Sequence, residues 1–271
     1  MRGRDGAVLV GAVAYHPRIV TIWEGFLPHF AAKLVPTDYV LYSNYERLVD
    51  ALLDGEVDVA WNTNTAYVAA EHRIGGDAQI LGMRDVDADF RTVLVTRRDD
   101  PLDEVAALAG RRLALGSRDS GHAAILPLHY LAREGLDAAR ACELVRFDTD
   151  LGKHGDTGDS ELRVLEALRA GRADAGAIGD ATWALLRTTA PQHTEGLEVR
   201  WRSPTYWHCN FTALPGFERG AAWSEALLAM DHDDPSVRAE MDLEGVRRWL
   251  PGDKSGYADL TEAMREQGLL A

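Results

Sequence analysis

The sequence predicts an α/β chain of two lobes, each built on a mainly parallel sheet flanked by helices. Three observations carry this. First, a helix–turn–strand pattern occurs twice, about 115 residues apart, once over 49–61 and once over 165–177. In each copy an amphipathic run is stopped by a glycine, Gly55 or Gly171, a residue suited to the left-handed end of a helix. An apolar run of strand length then opens at Asp58 or Asp174. Second, helical and strand-like segments alternate along the chain, the pattern of parallel sheets covered on both faces. Third, 271 residues with 46 % hydrophobic side chains suffice for one large domain or two modest ones with full cores. Two similar lobes in a chain of this size usually close on something small held between them.

The elements follow in order. Residues 7–15 read as the first strand, too short an apolar run to span a membrane. Residues 18–34 have helical spacing, with Ile19, Ile22, Trp23, Phe26 and Phe30 on one face. Residues 38–43 alternate as a strand, 46–53 form a helix, 57–61 a strand and 65–72 a short helix. Further strands are expected over 79–83 and 91–96. Asp99, Asp100, Pro101 and Leu102 break the pattern and open a second unit. There a strand near Leu113 runs into the polar loop Ser117–His122 and a helix over 123–133, and 145–147 is a short strand. The second copy of the repeated pattern comes next, with Asp180 to Trp183 at its exit. Residues 205–214 look like a strand returning to the first lobe, and the last stretch is largely helical. The lobes are thus expected at 1–95 plus 210–271 and at 96–209, joined by strands that make a hinge.

The formal net charge is −14, from 43 acidic and 29 basic residues, which argues against nucleic-acid or anionic-membrane partners. No span for membrane insertion is expected. Cys142 and Cys209 lie far apart and match no metal or redox spacing. The N-terminal residues show no cleavage site with a polar spacer, so the chain as given reads as cytoplasmic; it would read as periplasmic or otherwise extracytoplasmic if a leader had been removed. There is no Walker A run, dinucleotide-binding glycine turn or Gly-x-Ser-x-Gly elbow.

The two repeats, the strand–loop–helix over 113–127, the strand–turn over 174–183, and the C-terminal stretches 243–249 and Ser255-Gly256-Tyr257 resemble, in order and spacing, the phosphate/phosphite/phosphonate-type substrate-binding proteins of ABC importers. The resemblance implies a periplasmic-binding-protein type II fold, a ligand in an interlobe cleft, and, if the protein is exported, an ABC permease as partner. It implies no cofactor, although a bound metal remains open. The family's Ser-Thr-Ser-Gly, where hydroxyls and N–H groups hold the anion at a helix start, corresponds here to Arg118-Asp119-Ser120-Gly121. Its Gly-x-His-Glu/Asp corresponds to Gly158-Asp159-Ser160-Glu161. A carboxylate at 119 facing a phosphonate roughly 4 Å away would cost on the order of 4 kcal/mol at an effective dielectric of about 20. The expected ligand is therefore a small polar organic molecule other than a simple phosphonate.

Candidate ligand residues sit at strand ends and helix starts. They are Tyr15 and His16 after the first strand, Asn44 after the second, and Trp61, Asn62 and Asn64 after the third. In the second lobe they are Ser117, Asp119, Ser120, Gly121 and His122 in the polar loop, then Asp159, Glu161 and Asp180. Capping explains Asn44 and Asp119 about as well as ligand contact does, and core packing is the alternative for Trp61. Asp119, Asp159, Glu161 and Asp180 together would make an acidic wall favouring an amino group, another cation, or a metal ion. His208 is expected on the strand crossing between lobes, with Cys209 on its opposite face. His16, His122, His154 and His208 are weak metal candidates, since their spacing matches no known motif. Two functions follow. One is a solute-binding protein. The other is a cytoplasmic enzyme on the same fold, of lyase or biosynthetic type, with or without a metal, using His208, Cys209 and Glu161.

Overall fold

The computed structural model describes residues 6–100 and 102–270. The first five residues of the expected first lobe, Pro101 of the expected break, and Ala271 at the end of the expected return segment lie outside it. The chain forms two compact units. Unit 1 contains the described residues up to Asp89 together with Trp207–Ala258; unit 2 contains Phe90–Tyr206 together with Asp259–Leu269.

Unit 1 is built from β1 (Val8–Val13), α1 (Arg18–Ala32), β2 (Thr37–Tyr42), α2 (Tyr45–Leu53), β3 (Val59–Asn62), α3 (Asn64–Ile74) and β4 (Gln79–Arg84). Unit 2 follows in sequence: β5 (Thr92–Arg97), β6 (Arg112–Leu115), a π-helical turn over Gly121–Ile125 running into α4 (Leu126–Arg133), α5 (Ala138–Ala141), β7 (Glu143–Arg146), α6 (Asp159–Arg169), β8 (Ala175–Gly179), α7 (Asp180–Thr189) and β9 (Leu197–Arg202) all belong to it. The chain then completes unit 1 with β10 (Asn210–Ala213), α8 (Gly220–Leu228), α9 (Arg238–Glu244) and β11 (Trp249–Leu250). It ends in α10 (Ala258–Glu266), which from Asp259 onward belongs to unit 2.

Both sheets are mixed rather than mainly parallel. In unit 1 the order is β11-β4-β10-β3-β1-β2, with β1 parallel to β2 and β3, and β10 inserted antiparallel between β3 and β4. In unit 2 the order is β7-β6-β8-β5-β9, with β6 parallel to β7 and β8, and β5 antiparallel to both β8 and β9. The strands that run against the rest are those by which the chain enters unit 2 (β5) and re-enters unit 1 (β10), together with the short edge strand β11. Neither β5 nor β10 follows a right-handed crossover helix, the connection that makes strands parallel.

The repeated pattern has the same geometry twice. Gly55 (φ 68°) and Gly171 (φ 65°) take the left-handed conformation after α2 and α6. The N–H of Gly55 bonds Leu52 O and that of Glu56 bonds Ala51 O; Gly171 bonds Leu168 O and Arg172 bonds Ala167 O. These paired bonds satisfy carbonyls the helix end would leave open. The two aspartates then lock the strand that follows onto its parallel neighbour. Asp58 Oδ2 accepts from Leu9 N (2.8 Å) while Asp58 N donates to Leu9 O; Asp174 Oδ2 accepts from Arg112 N (2.9 Å) while Asp174 N donates to Arg112 O. Asp174 gains a second anchor from the Arg112 guanidinium, which holds its carboxyl below the usual range.

The cores confirm the helical reading of 18–34. Ile19, Ile22, Trp23, Phe26 and Phe30 are the buried residues of α1. They join Trp61, Phe211, Trp223 and Trp249 in one cluster, with ring centroids 4.2 Å apart for Trp61–Phe211 and 4.9 Å for Phe211–Trp223. Unit 2 buries aliphatic side chains on both faces of its sheet, among them Val93, Val95 and Leu165 on one side and Leu94, Leu113 and Leu131 on the other.

The expected lobe boundaries differ from the observed units in three ways, the smallest being that the chain re-enters unit 1 at Trp207 rather than 210. β5 pairs wholly within unit 2, so the first segment of unit 1 ends at Asp89 rather than 95. The last helix packs on unit 2: Tyr130 Oη and Arg133 Nη1 both donate to Asp259 at 2.9 Å, His129 Nδ1 meets Glu266 at 2.8 Å, and Gln267 Nε2 donates to Ile125 O at 3.0 Å. A helix on a short connection can dock on either neighbour; the polar partners on α4 decide it.

Candidate functional site

The strand-end rim of unit 2 carries most of the expected ligand residues. β6 ends at Leu115, and Ser117–Ser120 turn the chain into the π-helical turn. Ser120 caps that turn, its Oγ accepting from Ala123 N (3.2 Å). The first N–H groups of a helix have no acceptor within it, so this start is a donor surface. Ser117, Ser120, Gly121 and His122 are all buried.

What surrounds them is a set of carboxylates held by the protein's own donors. Ser117 Oγ makes a short hydrogen bond to Asp150, whose other oxygen accepts from Thr157 Oγ1 (2.9 Å). Asp119 Oδ2 accepts from Gly152 N (2.6 Å), with His154 Nε2 at 3.9 Å. Asp148 accepts from Arg118 N (2.9 Å) and is paired with the Arg118 guanidinium, which holds its carboxyl low. Glu161, 2 % exposed, accepts from Gly179 N (2.6 Å) and Thr182 Oγ1 (2.8 Å). His122 Nε2 stands 3.4 Å from Glu161 Oε2. Burial alone would lower the imidazole pKa, but the Glu161 carboxylate outweighs it and raises it. That pairing is complete at low pH and is lost as pH rises through the raised value. Ser160, which stands where the family has histidine, is fully buried and its Oγ has no hydrogen-bond partner.

The loop that brings Asp150 and His154 to this rim depends on unusual backbone. Gly152, His154, Gly155 and Gly158 all have positive φ, with His154 at 52°. At Gly155 a Cβ would lie 2.8 Å from Ser120 Oγ, so the loop can approach the capped turn only through glycine. The first oxygen of Asp180 is 3.3 Å from Arg91 N, and Asp159 opens α6 at the exposed surface. Asp148, Asp150, Thr157 and Thr182 were not among the residues expected from sequence. The signal that could have found the first three is the run of acids interleaved with glycines over 148–158.

In unit 1, Tyr15 and His16 follow β1, half-buried and exposed respectively. Asn44 caps α2, its side chain accepting from Arg47 N (2.9 Å). Trp61 lies in the aromatic core, and Asn62 is fully buried in the sheet with its amide donating to Thr212 Oγ1 (3.1 Å). Asn64 donates to Trp207 O (3.3 Å).

His208 and Cys209 correct one expectation. Residues 207–209 precede β10 and are irregular, so the alternation of a strand does not apply, and Cys209 Sγ lies 3.0 Å from His208 Nδ1. The same nitrogen is 3.4 Å from Asp87 Oδ1. Asp87, fully buried, accepts from Arg84 Nε (2.7 Å) and Nη2 (2.9 Å), and Arg84 also reaches Glu244 Oε1 (3.1 Å). Asp87, His208 and Cys209 could together hold a metal, but Asp87 already serves the Arg84 guanidinium, a poor neighbour for a second cation. A separate hollow of about 870 Å³ on unit 2 runs along β9; it mixes Arg98, Arg187 and Arg202 with Glu195 and Glu198 and is lined by none of the expected ligand residues.

Comparison with known proteins identifies the family. The family model for the periplasmic substrate-binding protein of phosphonate ABC transporters matches residues 12–257. The chain is 22 % identical over 244 residues to a probable ABC transporter phosphite-binding protein, PhnD1, of Prochlorococcus marinus (strain MIT 9301), covering 86 % of this chain and 79 % of that one. It is 24 % identical over 190 residues to a phosphonates-binding periplasmic protein of Escherichia coli K12, covering 67 % of this chain and 52 % of the relative. Among solved structures, PhnD1 of Prochlorococcus marinus in complex with methylphosphonate superposes with a TM-score of 0.75 at 20 % identity, covering 97 % and 98 % of the two chains. The periplasmic aliphatic sulphonate-binding protein SsuA of Escherichia coli superposes with a TM-score of 0.63 at 18 % identity, covering 97 % and 93 %. These likenesses show the periplasmic-binding-protein fold. Among the described residues no helix is long and apolar enough to cross a membrane.

Proposed function

Because the chain belongs to the phosphonate type of periplasmic substrate-binding proteins of ABC transporters, we propose that it captures a small polar solute bearing an amino or other hydrogen-bond-donor group, rather than a simple phosphonate, and delivers it to an ABC permease. One observation carries the ligand part of this reading: the rim donors that would hold an anion are already committed to the protein's own carboxylates. Ser117 and Thr157 serve Asp150, Gly152 N–H serves Asp119, and Thr182 and Gly179 N–H serve Glu161. A dianion would have to displace these bonds and then sit beside negative charge in a partly dry site. An ammonium or similar donor would instead meet acceptors, with Ser120, Gly121 and Ser160 left for its polar end. Asp119 is the least buried of the three carboxylates, its side chain 20 % exposed.

The family's periplasmic setting supports an extracytoplasmic location in place of the cytoplasmic one expected from the N-terminal residues. No observation favours the enzyme alternative.

Calorimetry tests the ligand class. Methylphosphonate, phosphite and phosphate should bind no tighter than about millimolar, near −4 kcal/mol. Asp119→Ser should move affinity toward these anions. Micromolar binding of any of them to the unaltered protein would overturn the ligand assignment. Native mass spectrometry of the protein as purified, followed by denaturation, identifies what it carries.

A further inference from the structure

A second cluster on unit 2 is unrelated to the rim. α4 and α10 face each other, and between them lie His129, Asp259 and Glu262. His129 is 2 % exposed. Its Nδ1 stands 2.8 Å from Glu266 Oε2. An ionised carboxylate can only accept, so Nδ1 carries the hydrogen in that bond, and Nε2 is the ring nitrogen a metal would take. That Nε2 is buried and has no hydrogen-bond partner. One ligand atom each from His129, Asp259 and Glu262 lies within 4.8 Å of the other two. With Nδ1 taken by Glu266, Nε2 is the nitrogen available to such a group. A buried ring nitrogen without a partner, on a residue grouped with two carboxylates, is an arrangement that a cation would satisfy.

We propose that His129, Asp259 and Glu262 bind a divalent transition-metal ion of the zinc class, clipping the C-terminal helix to unit 2. The donor set argues for that class: one imidazole nitrogen with carboxylate oxygens suits zinc, whereas magnesium and calcium take oxygen throughout. The surroundings supply what metal-bound histidines and carboxylates ordinarily have. Glu266 orients the imidazole from its far nitrogen, and Tyr130 Oη donates to Asp259 Oδ2 at 2.9 Å. Arg133 Nη1 bonds Asp259 Oδ1 at 2.9 Å, but its side chain is 57 % exposed and free to swing into solvent as the ion enters. Ligands about 2.1 Å from a tetrahedral ion stand roughly 3.4 Å apart. Glu262 is exposed, so a change of rotamer closes the remaining gap. Water completes the coordination.

The test uses the full chain, stripped with chelator and dialysed against zinc, with metal content measured by mass spectrometry and cobalt substituted as a spectroscopic probe. The expected result is about one ion per chain, visible cobalt ligand-field bands, and a raised unfolding temperature. Glu262→Ala, at an exposed position where the fold is insensitive, should weaken zinc binding about tenfold or more, and His129→Gln should abolish the cobalt bands. Absence of binding at micromolar free zinc would overturn the proposal. So would zinc retained with unchanged affinity by both variants, which would place the ion elsewhere, for example on a cysteine.

Discussion

Asp87 shows how one buried side chain can govern its surroundings. Burial alone would raise its pKa, but the Arg84 guanidinium and His208 outweigh that and hold the carboxyl at about 2, against an ordinary 3.8. A carboxyl lowered in the folded state contributes stability that is present above its unfolded value and lost as pH falls through the folded one. The contribution is on the order of 2 kcal/mol, complete above about pH 4 and lost toward pH 2. Asp87→Asn leaves the half-buried Arg84 without its main partner and should cost about 3 kcal/mol at neutral pH. Urea unfolding of both proteins across pH checks this: the difference between them should narrow steadily below about pH 4. A constant difference down to pH 2 would mean that Asp87 is held by something other than charge.

The repeated helix–turn–strand element makes a comparison within one molecule. Asp58 and Asp174 each receive the backbone N–H of the neighbouring parallel strand, but only Asp174 also receives an arginine. Removing a half-buried acceptor leaves the N–H it served without that partner, at about 1 kcal/mol. Asp58→Ala and Asp174→Ala should both destabilise by about that much. The Arg112 pair is exposed at its arginine end, the side chain 37 % so, and adds only weakly to the second. The extra term should fade in high salt, whereas the shared term should not. Differential scanning calorimetry at low and high ionic strength separates them. In the core, the aromatic element around Phe211 makes the same point through packing: Phe211→Ala should cost about 3–5 kcal/mol, read by denaturant unfolding.

At the scale of the molecule, the chain passes from one unit to the other near Asp89, near Tyr206 and again at Ala258. The third passage commits α10 to unit 2, where Leu260, Ala263 and Met264 are buried. Deleting the chain from Asp259 onward should therefore weaken unit 2 selectively, by several kcal/mol at about 1.5–3 kcal/mol for each large apolar side chain uncovered. Hydrogen exchange should speed up in β5, β6 and β8 while β1 and β3 keep their protection. Equal loss of protection in both units would show that they unfold as one.

The local elements were legible because their information is local. Spacing named the buried face of α1 residue by residue, and the paired glycines and aspartates announced both helix ends and both strand starts. The Ser120-Gly121 turn and Glu161 could be placed on the unit-2 rim through the family resemblance and the rule that ligand residues gather at strand ends. Three things needed the tertiary structure. Strand direction in the sheets was one, because β5 and β10 carry the same apolar signal whichever way they run, and only pairing partners orient them. The helix α7 and strand β9 after Asp180 were another, since their weak patterns take shape against β5 and β8. The last was what the acids do. The sequence by itself determined that unit 2 would be rich in carboxylates near a helix start. Only the folded chain decided that Asp150, Asp119 and Glu161 draw in the donors of that site, because hydrogen bonds between residues 33 or 18 positions apart leave no trace in sequence spacing.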